Sequence, residues 1–199
     1  MYPKHDQVGH KDGESRVRAI RDTWYRDFHK YRDQIDLKFF YGWGADRDPL
    51  PDEVFLDAPD YYHGLPAKVQ KIFQYCTDSG YTDILKLDDD VYLWVSRLLE
   101  NFEPTDYRGY LCEADIKYAS GTAYWVSAKA ARIVAESPLD GDWAEDKFVG
   151  RTLARNGIKL VNDERYLCCS CDACLQRYDK DSLISIHTTH PSQMEIYHG

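Results

Sequence analysis

The sequence predicts an α/β fold, a mainly parallel sheet flanked by helices in one minimal domain. Short apolar runs of strand composition alternate with segments whose apolar residues recur every three or four positions. The chain has 199 residues, which suits one domain and leaves two cramped. An acidic triplet directly follows one apolar run, and ligands of α/β sheets gather at the carboxyl ends of strands.

Residues 1–13 read as a flexible N-terminal segment and 14–199 as the folded domain. A helix is expected from Gly13 to about Tyr31, with Val17, Ile20, Trp24 and Phe28 on one face. Asp36 to Trp43 reads as a strand, residues 46–52 as a loop with two prolines, and Val54 to Leu56 as a short strand. The next helix starts at Leu65 with Pro66 early, buries Val69, Ile72, Phe73 and Cys76, and stops at Gly80. Asp83 to Leu87 is a buried strand running into Asp88-Asp89-Asp90, followed by Val91 to Leu93 and a helix over 94–101. Strands over 109–112 and 123–126 precede a helix capped by Ser127 and ending near Glu136. A further helix opens at Asp142 or Trp143 and stops at Gly157; strands over 159–161 and 183–187 complete the sheet.

Composition excludes several classes. Lys and Arg number 25 against 34 Asp and Glu, a net charge of −9 that disfavours a generic nucleic-acid or anionic-membrane binder. With 16 Tyr, 7 Phe and 5 Trp the chain is too aromatic for a disordered one. No apolar stretch approaches the roughly 18 residues of a membrane span, and residues 1–14 lack the apolar run of a signal peptide. A soluble cytoplasmic protein of bacterial or viral type is therefore expected, or a Golgi-lumen protein if the chain is a trimmed ectodomain.

Four of the six cysteines crowd into one stretch, Cys168, Cys169, Cys171 and Cys174, which reads as a Cys-rich insertion. Two overlapping C-x2-C pairs are half of a zinc-ribbon pattern, so a structural zinc, disulfides and free thiols are all open; reduced thiols are favoured over disulfides.

Three carboxylates at the end of an apolar strand need a counterion. Strand alternation sends Asp88 and Asp90 to one side and Asp89 to the other, and two carboxylates aimed at one cleft suit Mg²⁺ or Mn²⁺ and its diphosphate. Taken alone, the triplet also fits a solvated acidic turn. Glu145 and Asp146, near a helix start, fit either dipole partners or a general base. His187 ends the last apolar strand as a metal ligand or a surface histidine. Gly121 permits close backbone approach to a ligand or makes a turn. Arg16, Arg18 and Arg21 offer charge to a diphosphate, or form a solvated face.

In chain order these pieces resemble the inverting β-1,3-galactosyltransferase and fringe-like family. Arg16-Val-Arg-Ala-Ile-Arg21-Asp-Thr-Trp24 is similar to its R-R-x-A-I-R-x-T-W opening, and Asp57-Ala-Pro-Asp60-Tyr-Tyr62-His-Gly-Leu65-Pro-Ala-Lys68 to D-x-x-D-x-Y-x-N-L-T-x-K. Lys86-Leu-Asp88-Asp89-Asp90-Val-Tyr resembles K-T-D-D-D-V-F, the family's DxD motif. Residues 118–127 resemble Y-C-S-G-G-G-Y-V-L-S, Glu145-Asp146-Lys-Phe-Val-Gly150 resembles E-D-V-Y-V-G, and Ile186-His187 matches the region of its metal-binding histidine.

The resemblance implies a GT-A, Rossmann-like fold and a metal-dependent inverting transfer from a UDP-sugar to an acceptor hydroxyl on a glycan, a protein or a modified nucleobase. It implies Asp90 and His187 as ligands of Mn²⁺ (or Mg²⁺), with Asp88 and Asp89 holding the metal's water shell and the ribose. Lys86 and Arg16 fall with the donor-binding residues, the Gly121 loop lines the sugar and acceptor site, and Asp146 is the catalytic base. Lys129, Arg132, Lys147, Arg151 and Arg155 sketch a basic face near that base, although the net charge disfavours a hydroxymethylated DNA acceptor. The competing expectation is a catalytically inactive GT-A scaffold acting as a Cys-rich zinc-binding interaction module.

Overall fold

A computed structural model describes residues 8–44, 47–139, 141–171 and 175–199, and the α/β class holds within them. The chain runs α1 (Val8–Asp22), α2 (Trp24–Phe28), β1 (Phe39–Tyr41), β2 (Glu53–Phe55), α3 (Leu65–Asp78), β3 (Asp83–Leu87), β4 (Val91–Leu93) and α4 (Val95–Glu100). It continues through β5 (Tyr107–Glu113), β6 (Lys117–Ser127), α5 (Ala128–Glu136), α6 (Glu145–Arg155), β7 (Val161–Asn162), β8 (Tyr166–Leu167), β9 (Ser185–His187) and α7 (Ser192–His198).

The strands form three small sheets of mixed direction where one mainly parallel sheet was expected. The central one has the order β3-β6-β5-β7, with β3 and β5 antiparallel to β6 and β7 parallel to β5. The second has the order β4-β9-β8, antiparallel and then parallel, and β1 pairs with β2 in parallel. The reason lies in one short connection. Only residues 114–116 join β5 to β6, with Ala114 N–H donating to the Ile116 carbonyl at 3.0 Å, and so short a link permits only an antiparallel pair.

Alternation along β3 and along residues 123–126 of β6 builds two cores, one on each face of the central sheet. A register shift between the Gly109 and Leu111 pairings brings Ala119 to the same core as Tyr124. Ile84, Ala119, Tyr124 and Val126 face Val69 and Phe73 of α3, Ala130 and Val134 of α5, and Phe148 and Leu153 of α6. Leu85, Leu87, Ala123 and Trp125 face the other way, toward Ile20, Trp24, Phe28, Ile186 and Met194. Full burial of a Phe or Leu side chain contributes about 1.5–3 kcal/mol, whereas a helix as short as α5 is marginal by itself in water. Packing against the sheet, more than helix propensity, fixes these elements.

The first helix starts earlier than expected, at Val8, and breaks at Thr23. Residues 1–7 of the expected flexible segment lie outside the described residues. The Thr23 hydroxyl donates to the Ala19 carbonyl at 2.6 Å, a local bond that competes with helix continuation. The Trp24 indole N–H then donates to the Val91 carbonyl at 3.1 Å, fastening the helical pair to β4. Ser127 caps α5 by accepting from Ala130 N–H at 3.2 Å, and Gly80 and Gly157 end α3 and α6 at φ of 86° and 75°. The segment 117–122, β8 and α7 were not expected from the sequence; the first is too polar to read as strand. No helix among the described residues is long and apolar enough to cross a membrane.

Candidate functional site

Strand β3 stops at Leu87, and the acidic triplet is a turn that carries the chain from the central sheet into β4 of the second sheet. Strand alternation therefore does not govern it, which corrects the expected pairing of Asp88 with Asp90. Asp88 donates its N–H to the Thr122 carbonyl at 3.0 Å and accepts from Lys86 Nζ. Asp89 and Asp90 both turn to Arg16, whose Nη1 lies 3.2 Å from Asp89 Oδ1 and 3.3 Å from Asp90 Oδ2.

Of the three arginines offered by α1, Arg16 is the one whose guanidinium meets the triplet among the described residues. Arg21 is engaged elsewhere, 2.6 Å from Asp52 and 3.2 Å from Glu53, and Arg18 is exposed.

Strand β9 brings His187 opposite Val91. Its Nε2 lies 3.4 Å from Asp90 Oδ2. The Asp90 carbonyl is held by the N–H and hydroxyl of Thr188, at 2.7 and 2.8 Å. Burial pushes the Asp90 carboxyl up, but its bond to His187 and the charges of His187 and Arg16 outweigh burial and hold it below its ordinary value. The same bond raises the imidazole, against burial. Asp90 Oδ1 is buried and has no hydrogen-bond partner.

The two carboxylates that open α6 have different surroundings. Glu145 is buried, accepts from the Tyr124 hydroxyl and lies 3.4 Å from Lys86 Nζ. Burial raises its carboxyl above the ordinary value, with Lys86 opposing. Asp146 is half-buried; its Oδ2 accepts from Gly121 N–H at 3.1 Å and its Oδ1 from Lys147 N–H at 2.8 Å.

A Cβ on Gly121 would stand 3.3 Å from Asp146 Oδ2 and from Glu145 Oε2, so glycine is what lets β6 touch both acids. Lys86 also donates to the Gly121 carbonyl. One lysine thus joins the acidic turn, the glycine strand and the start of α6. Burial alone would lower its ammonium, yet Asp88 and Glu145 raise it above the ordinary value.

These residues border an open cavity whose lining includes Arg16, Lys86, Asp88, Asp89, Asp90 and Glu145. His187 and Asp146 lie outside that lining, one bonded to Asp90 and the other next to Glu145 in the chain. Within the segment 57–68, Asp60 bridges Lys68 and the Gly42 N–H, the latter at 2.8 Å, while Asp57 accepts from the Trp43 indole at 2.7 Å. Tyr62, His63 and Trp143 form a cluster of rings with centroids 5.4–5.8 Å apart, and Tyr62 and Trp143 are exposed.

The cysteine stretch does not supply a four-thiolate zinc site. Cys169 is disulfide-bonded, an exception to the expected reduced thiols, which Cys76, Cys112, Cys168 and Cys171 keep, and Cys174 lies outside the described residues. Cys168 and Cys171 are free thiols, as is Cys112 of β5. The influence of Cys112 lowers the Cys168 thiol against burial, and Cys112 itself is raised above the ordinary value. Among the described residues no group of three His, Cys, Asp or Glu side chains is arranged to hold a metal unaided.

The expected basic face is partly neutralised. Lys147 and Arg151 contact Asp115 at 2.9 and 2.8 Å, and Lys129 contacts Asp106 at 3.2 Å.

Sequence reasoning missed Tyr124 and Thr188. Tyr124 was visible only as one aromatic of a strand, and a carboxylate 21 positions away in sequence is its partner. No family model matches the chain, and no curated protein matches it.

Proposed function

We propose that the chain is a metal-dependent inverting glycosyltransferase that moves a sugar from a UDP-sugar to an acceptor hydroxyl, on a GT-A-like scaffold. The observation that carries the reading is the meeting of three sequence-distant clusters. The turn at 88–90 reaches the start of α6 through Lys86 and reaches His187 through Asp90.

Asp90 and His187 fit a hard divalent cation. One buried carboxylate oxygen lacks a partner, and the imidazole nitrogen is beside its sibling. A divalent cation bound there would neutralise charge on a diphosphate leaving group. With two protein ligands, its remaining positions fall to phosphate oxygens and water. Arg16, already on the turn, would supply a guanidinium for phosphate oxygens.

Of the two α6 acids, Asp146 suits proton removal better than Glu145. Glu145 is buried and taken up by Tyr124 and Lys86, whereas Asp146 is half-buried and held in orientation by two backbone N–H groups. A carboxylate so oriented can take a proton from an attacking hydroxyl as the sugar–phosphate bond breaks on the opposite face. The exposed rings of Tyr62 and Trp143 offer a surface for the apolar face of a sugar. The ion-paired basic residues and the −9 charge weigh against DNA as acceptor.

Thermal shift with UDP and Mn²⁺ tests the binding half. Stabilisation of the wild type that is lost in Asp90→Ala supports it; equal shifts in both proteins overturn it. Hydrolysis of a panel of UDP-sugars and mass spectrometry of acceptor pools then identify substrates. Asp146→Asn should keep UDP binding and lose transfer by roughly 10²–10⁴-fold, and near-normal turnover removes Asp146 from the mechanism.

A further inference from the structure

Strand β6 is paired with β5 over residues 117–119 and 124–126, and with β3 over 123–127. Residues 120–122 fall between these paired stretches, at the register shift, where an irregular strand re-aims its backbone. Side chains hold this stretch from both sides. Lys86 Nζ donates to the Gly121 carbonyl, and the Gly121 N–H donates to Asp146 Oδ2 at 3.1 Å. The same ammonium donates to Asp88 Oδ1 and lies 3.4 Å from Glu145 Oε2. An ammonium has three N–H groups. Here three acceptors converge on it, one each from the turn at 88–90, the irregular strand and the start of α6. Gly121 has no side chain with which to pack, so the bonds at its carbonyl and its N–H carry its placement.

We propose that Lys86 is a positioning residue for the transfer: through the backbone of Gly121 it sets the Asp146 carboxylate against the turn that takes the leaving group. The inference rests on the sugar-transfer reading for what Asp146 does, and on the hydrogen bonds alone for the link. A displacement needs its proton acceptor in line with the departing phosphate, and a misplacement of about 1 Å can cost about 10²-fold in rate. Asp146 belongs to α6 and Asp88 to the turn after β3, two elements that Lys86 and Gly121 bridge. Lys86 acts by holding Gly121, and the proton passes to Asp146.

A double-mutant cycle tests the proposal, run on Glu145→Gln protein so that removing the ammonium leaves no buried carboxylate of α6 unpaired. Lys86→Met should lower kcat for UDP-sugar turnover by roughly 10–10²-fold, with KM for the donor unchanged. In Asp146→Asn the same substitution should cost nothing further. A purely structural role would multiply the two losses. Multiplied losses, or a raised KM with kcat intact, overturn the proposal. Lys86→Arg keeps the charge, but its planar fork cannot serve three acceptors grouped around one point. It should show the same fall in kcat, and it decides alone should circular dichroism show Lys86→Met unfolded; wild-type kcat in folded Lys86→Arg overturns the proposal. If the wild type turns over no UDP-sugar, the transfer reading fails, and amide exchange decides the link. Followed by NMR, the Gly121 amide should exchange about tenfold faster in Lys86→Arg than in the wild type, and unchanged exchange refutes the link.

Discussion

The ammonium of Lys86, largely buried, lies between Asp88 and the buried carboxylate of Glu145. A charge so placed is tolerable only while its partners remain. Removing one member of a buried pair costs about 3–5 kcal/mol, because the other is left uncompensated, while replacing both is much cheaper. Lys86→Met should therefore lower unfolding stability by about 3 kcal/mol in urea, and Glu145→Gln added to it should restore much of the loss. Equal stability of the single and double variants would show that the pair is not coupled. At this scale the sequence was partly legible. Composition and order exposed Asp88, Asp90, Asp146 and His187, but not which way they turn. Strand alternation misplaced the triplet because the strand ends one residue too soon, at Leu87. The bond from Tyr124 to Glu145 is a product of topology, which no local pattern encodes.

Helix α6 approaches β6 closely at Gly150, where a Cβ would meet the Tyr118 Cβ at 2.5 Å and its Cα at 3.1 Å. Neither atom is the far end of a flexible side chain, so the helix itself must shift. Gly150→Ala should destabilise by about 1–3 kcal/mol through overpacking, outweighing the gain of roughly 0.5–1 kcal/mol from a better helix former. The shift would also move Asp146 on the same helix, so transfer should fall in folded protein; unchanged stability in denaturant titration would refute the close fit. Element type was largely readable, since the helical periodicities of 65–78 and 127–136 and the apolar run of 83–87 match observed elements. Strand direction was not. It follows from connection length, and the polar stretch 117–122 hid the β5–β6 hairpin that sets it.

Across the molecule, buried and partly buried carboxylates set the response to acid. Asp52 and Glu53 are lowered by Arg21 and Arg47 against burial, and Asp163 is lowered by Arg165 and Arg108 against burial. Unfolded carboxylates take protons near pH 4, so in the interval below that the native state binds fewer protons than the unfolded chain. Stability from these three is complete above about pH 5 and is lost as pH falls through their depressed folded values. Asp89 and Glu145, raised by burial, work with the opposite sign: their contribution is complete below about pH 4 and fades as pH rises through their folded values. Urea midpoints measured from pH 7 to pH 3 should fall along the acid limb, and Arg21→Gln should flatten that limb while lowering stability at neutral pH. An unchanged slope would show that Asp52 and Glu53 do not carry it.

The turn at 88–90 is also the corner at which the chain leaves one sheet for the other. Whatever grips it grips both halves of the molecule at once. Occupancy and rigidity are then one quantity, and a tenant of that corner acts as a rivet through the fold, adding to the resistance of distant strands that it never touches.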